Sequence, residues 1–106
     1  MLDTTSLTRP VDRLADRLRA TPQSALRRGA AAEGLALARE LARRAQELEF
    51  PGSAPYELPD AGPFAVGDQL SVTGHDLALA LAAAGDEAAL ADAVDLVTAV
   101  GAGARA

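Results

Sequence analysis

Between residues 50 and 63 the chain reads FPGSAPYELPDAGP, with a proline at every fourth position: Pro51, Pro55, Pro59 and Pro63. A proline in each turn is incompatible with a helix interior, since each one removes a backbone donor and clashes with the preceding turn. The segment is therefore an irregular connection, over about residues 50–60, and it divides the chain in two. Both parts are dominated by alanine and leucine, with no isoleucine and only 3% aromatics. Alanine and leucine are strong helix formers, whereas strands favour β-branched and aromatic side chains. The expected fold class is all-α: one domain of 106 residues, a small four-helix bundle-like unit with a Pro-rich crossover linker between its second and third helices.

The linker is longer than the usual helix–helix connection of about 2–8 residues. Ten extended residues reach about 33 Å, so it can carry the chain back along a long helix and return it in parallel, as well as make a simple reversal. The three aromatics, Phe50, Tyr56 and Phe64, lie in it or at its edges. The expectation is that Phe50 and Tyr56 pin the segment to the helices and that Phe64 anchors the next one.

The spacing predicts helices over about 8–20, 23–49, 61–84 and 86–101, with a frayed tail at 102–106. Thr8 is the expected N-cap of the first, with Pro10 in its first turn and Leu7, Val11, Leu14 and Leu18 as its apolar stripe. Thr21-Pro22 repeats that opening signature for the second. There the stripe Leu26, Ala30, Gly34, Leu37, Leu41, Ala45, Leu48 is close to a heptad seam. Gly34 falls on the stripe, which suits close approach of another helix; Gly29 falls off it, which suits a break near 28–30. Glu40 with Arg44, and Arg43 with Glu47, are spaced as ion pairs. Gly85 and Asp86 read as the end of one helix and the cap of the next, and Leu90, Ala93, Val94, Val97 and Val100 share a face of the last.

Residues 64–73, FAVGDQLSVT, admit a β-hairpin around Gly67-Asp68, but its arms are short and the helical reading is preferred. With Asp60 as cap, the helix places Val66, Leu70, Leu77, Leu81 and Ala84 in one arc, with Thr73 and Gly74 at its edges. Phe64, Val72 and Leu79 fall opposite. Two apolar arcs suit either the central helix of the bundle or an element of a subunit interface. Asp68, Ser71 and His75 share a flank between the arcs.

Functional classes narrow by what is missing. With no cysteine and one histidine, neither a thiolate nor a histidine-based metal site is expected, and no cofactor motif is present. No apolar run approaches the ~20 residues of a membrane span, and MLDTTSLTRP lacks the pattern of a secretory signal; a cytoplasmic protein is the expectation. Arg9, Arg13, Arg17, Arg27, Arg28, Arg39, Arg43 and Arg44 could serve nucleic acid through a helix-turn-helix. The net charge of −5 and the acidic neighbours of these arginines favour a solvated, salt-bridged face instead. An enzyme would use His75 as base, oriented by Asp68 or Ser71. Catalytic groups usually converge from separate elements around a pocket, so no catalysis is expected.

The reading that accounts for most of the sequence is a non-catalytic interaction or regulatory module, a homodimer with room for a further protein partner. Its contact surface is drawn from Tyr56, Phe64, Asp68, Ser71, Val72, His75 and Leu79. The alternative keeps the fold and makes the linker a lid over a small-molecule or peptide pocket lined by Tyr56, Phe64, Ser71 and His75.

Overall fold

The computed structural model describes residues 2–54 and 56–103. Among them there are five α-helical segments and no strand: α1 (Thr5–Ala20), α2 (Gln23–Ala25), α3 (Ala31–Glu49), α4 (Val66–Ala84) and α5 (Glu87–Gly103). A π-helical turn, Leu26–Ala30, joins α2 to α3 in one kinked rod, so the fold is a domain of four packed helices, and the hairpin alternative at 64–73 is not adopted. The kink is at Gly29, whose φ of 146° is open to glycine alone. The break expected there is real, yet the heptad stripe survives it. Leu26 before the kink and Gly34, Leu37, Leu41 and Ala45 after it are all buried.

Helix directions follow from who meets whom. Gly34 at the start of α3 abuts Val66 at the start of α4, and Leu48 near the end of α3 lines a groove with Leu77 and Leu81 near the end of α4. The two helices therefore run parallel, which only a returning linker allows. α1 is antiparallel to α4, since Val11 meets Gly74 whereas Ala15 and Arg19 meet Gly67. α5 reverses from α4 at Gly85, which is left-handed (φ 66°) and donates its N–H to Leu81 O (2.8 Å). Asp86 caps the new helix by accepting from Ala89 N (3.0 Å). The course is up, down, down, up, with α4 between α1 and α3 and α5 packed mainly along α1. The core is aliphatic: Leu7, Val11, Leu41, Leu70, Leu77, Leu81, Val66 and Val97 are its largest fully buried side chains. The molecule is a slab of 40 × 28 × 17 Å.

Several local expectations are corrected. α1 begins at Thr5, not at Thr8: Asp3 accepts from Thr5 N (2.9 Å) and from its hydroxyl, and these bonds hold the Asp3 carboxyl below its ordinary range. Pro10 thus lies inside the helix. Thr21 closes α1 instead of opening α2, donating its hydroxyl to Arg17 O (2.6 Å). Asp60 makes a turn with Gly62 N (2.9 Å), and a 3-10 turn, Pro63–Ala65, leads into α4. The connection therefore runs to residue 62. α5 continues to Gly103, so residues 102–103 of the expected tail are helical and 104–106 lie outside the described residues. Ala84 is exposed. Arg43 turns back to Glu40 (2.7 Å) instead of forward to Glu47, while Glu40–Arg44 forms as expected (2.8 Å).

The aromatics do not pin the linker. Phe50, Tyr56 and Phe64 are 61%, 69% and 69% exposed. The linker is instead laid along α3 and α4 by its polar backbone. Gln46 grips Ala54 O and Tyr56 N, Arg39 donates to Leu58 O (2.8 Å) and faces Glu57, and Gln69 donates to Pro59 O (2.9 Å). Leu58 is its apolar anchor, partly buried against the core. Backbone carbonyls without helical donors need partners, and the long side chains of α3 and α4 supply them.

Candidate functional site

α4 presents two unlike faces. One half of its circumference, from Val66 and Gly67 through Leu70, Thr73, Gly74, Leu77 and Ala78 to Leu81, is buried by α1, α3 and α5. The other half carries Val72 and Leu79, 60% and 72% exposed. The second apolar arc is thus open, and α4 is central in the slab without being enclosed by it.

The edge of this face toward α1 is a ladder with a seven-residue step. Two small rungs lie inside. A Cβ at Gly74 would stand 2.5 Å from Val11 Cγ1, and one at Gly67 would stand 3.0 Å from Ala15 O and 2.9 Å from Arg19 Cγ. Two charged rungs lie outside them. His75 Nε2 is 2.8 Å from Asp12 Oδ1, and Asp68 Oδ1 accepts from Arg19 Nε (2.9 Å) and forms an ion pair with its Nη2 (2.8 Å). Arg19 also donates to Asp16 (2.9 Å), and its guanidinium is held more firmly protonated, first by the bond to Asp68. Gly67 and Gly74 are therefore contact points that bring two backbones close, and no loop forms around them.

This geometry rearranges the expected Asp68, Ser71, His75 flank. Ser71 and Asp68 are not the partners of His75. Asp68 is turned to Arg19, and His75 to Asp12 on the other helix. Both members of the His75–Asp12 pair are about half exposed, at 48% and 51%. Among the described residues no group of three or more His, Cys, Asp or Glu side chains converges as a metal ion requires.

Nor are Tyr56, Phe64, Ser71 and His75 gathered beneath a lid. Tyr56 is held on the α3 side by Gln46, and His75 is held on the α1 side by Asp12. The recess beside the linker at Glu57 is lined by Ala36, Arg39, Glu40 and Arg43 instead. An apolar groove of about 200 Å³ lies between α3 and α5, floored by Leu77, Leu81 and Ala93.

Five of the arginines are tied into the fold. Arg17 donates to Gly101 O (3.0 Å), Arg19 serves Asp16 and Asp68, Arg39 serves the linker, and Arg43 and Arg44 share Glu40. The Glu40 pKa is lowered to about 2, first by the Arg43 hydrogen bond, which burial opposes and the Arg44 hydrogen bond reinforces.

Sequence reasoning placed Val72, Leu79, Asp68 and His75 on α4 but missed Asp12 and Arg19. The signal was present: Asp12 and Arg19 are seven apart, as are Asp68 and His75. Complementary charges at equal spacing on two helices that run in opposite directions meet rung by rung. No described helix is long and apolar enough to cross a membrane. No family model, curated protein or solved structure matches this chain.

Proposed function

We propose that this chain is a non-catalytic helical interaction module that works in the cytoplasm and self-associates through the outer face of α4. The observation that carries the reading is the exposure of Val72 and Leu79 midway along a helix whose other face is buried. Single exposed apolar residues are ordinary. Two on one face, seven residues apart, with Phe64 exposed just before the helix, make a stripe that a partner helix would cover.

The shape suits a second copy. A standard interface removes about 800 Å² from each partner, a modest share of the 6086 Å² surface here. A slab 17 Å thick offers that area on one broad side. Most soluble assemblies pair the same patch across a two-fold axis, and α4 lies in the middle of that side. The exposed His75 and Asp76 flank the stripe and would form its polar rim.

Light scattering tests the proposal. The expected mass is twice the 10.8 kDa of the chain, and Leu79→Glu, placing a charge in the centre of the contact, returns the protein to a monomer with unchanged helicity. A monomeric native protein at micromolar concentration, or a Leu79→Glu variant that stays dimeric, would refute it.

A further inference from the structure

α1 and α5 run side by side, and an open cleft separates their outer edges. Its wider lobe, about 530 Å³, is lined by Thr5, Ser6, Arg9, Pro10, Arg13, Val94 and Thr98. A narrower lobe of about 120 Å³ continues from Arg13 and Thr98 to Leu14, Arg17 and Val97. Among the described residues no carboxylate lines either lobe. In a chain of net charge −5, the lining of this cleft carries three arginines and no acid, with Asp3 bound to Thr5 of the wider lobe.

The reason lies in the other edge of α1. Asp12 and Asp16 stand three residues after Arg9 and Arg13, a spacing at which each could pair with its arginine. Instead Asp12 faces His75 and Asp16 faces Arg19, both on the α4 side. Asp3 feels Arg9 only as the weakest of its interactions. Arg17 is anchored on Gly101 O (3.0 Å) and fixes the inner end of the cleft. Arg9 and Arg13 are exposed and one helical turn apart, with the Thr98 hydroxyl on the opposite wall.

We propose that this cleft binds a small phosphate ester. Guanidinium groups present planar pairs of donors that match phosphate oxygens. Arg9 and Arg13 would hold the phosphate, Thr98 would add a hydroxyl donor, and Pro10 and Val94 would cover a compact apolar body. None of its lining residues belongs to α4, so its test is separate from that of self-association.

Calorimetric titration with phenyl phosphate tests it. Binding in the millimolar range or tighter is expected, weakened about tenfold or more by Arg13→Gln through loss of a charge-assisted contact. Arg28→Gln, which changes an exposed arginine on the π-helical turn, should leave binding unaltered. Inorganic phosphate should bind several-fold more weakly, because it lacks the body that Pro10 and Val94 cover. No binding of phenyl phosphate, equal weakening by Arg28→Gln, or equal affinity for the two probes would overturn the proposal. So would much tighter binding to a DNA duplex with the same dependence on Arg13, since the cleft would then be part of a basic strip for nucleic acid.

Discussion

Adding one methyl group at Gly74 should weaken the domain, although alanine is the better helix former. The new Cβ would stand 2.5 Å and 2.8 Å from the two γ-carbons of Val11 and 3.2 Å from its Cβ. Carbon atoms pack at about 3.5–4.0 Å, so about 1 Å must be found. Val11 is fully buried and β-branched within α1; such a side chain has essentially one rotamer in a helix and cannot swing aside. α1 itself must retreat, loosening Leu7, Leu14 and the charged rungs beside them. Overpacking against a side chain that cannot move falls in the upper part of its usual range, about 2–3 kcal/mol, against a gain of about 1 kcal/mol from replacing a helical glycine. The expected net loss in Gly74→Ala is about 1–2 kcal/mol, read by urea denaturation followed by circular dichroism. Gly101→Ala is the control, because nothing lies within 4 Å of a Cβ there; it should be neutral or slightly stabilising. Val11→Ala also destabilises, by leaving a cavity. When both changes are combined, the space vacated at position 11 should accept the methyl group added at position 74. The two losses should then fall short of additive by about 1 kcal/mol or more. A Gly74→Ala protein as stable as the native one, or additive losses, would refute the close-contact account of the α1–α4 ladder.

Two further perturbations report on other parts of the frame. Glu40 has its folded pKa depressed from 4.5 to about 2, so its contribution is present above the unfolded value and is lost as pH falls from about 4.5 toward 2. Discounted for solvent screening, it amounts to about 1–2 kcal/mol. Denaturation of Glu40→Gln should therefore show a deficit at neutral pH that vanishes near pH 2; a deficit independent of pH would point to shape and not charge. Gly29→Ala meets no atom within 4 Å, yet its φ of 146° is strained for any side chain. A loss of about 1–3 kcal/mol in chemical denaturation is expected, and an unchanged midpoint would mean that the kink is dispensable.

Much of this architecture is legible in the residues. The stripe from Leu26 to Leu48 and the arc from Val66 to Leu81 are periodic because neighbouring helices cover one side of each, so burial leaves its period in the sequence. Gly34, Gly67 and Gly74 stand out for the same reason: a helix keeps a glycine where a Cβ would strike the next helix. Phe50 and Tyr56 misled because size alone implied burial, whereas the linker is fastened through carbonyl oxygens that every residue carries and no composition reveals. Thr8 and Thr21 misled because a hydroxyl can close the helix before it as readily as open the one after it. On the candidate surface, Val72 and Leu79 were visible as a second arc. The turning of His75 to Asp12 depends on α1 lying antiparallel to α4, and that direction is set by the whole chain and not by any local run.

The parallel course of α3 and α4 also shapes how the domain must assemble. The pairs that join them, such as Gly34 with Val66, are about thirty residues apart along the chain, and the rungs between α1 and α4 are farther still. The tight helical reversals, at Thr21-Pro22 and at Gly85, join α1 to α2 and α4 to α5, whereas α4 packs chiefly against α3 and α1. Closing the linker in place of a tight turn adds about 1 kcal/mol of chain entropy before any α3–α4 contact is made. Folding rates fall as contacting residues become more distant in sequence. This chain should therefore form its helices early, join them late, and fold more slowly than an up-and-down bundle of equal length.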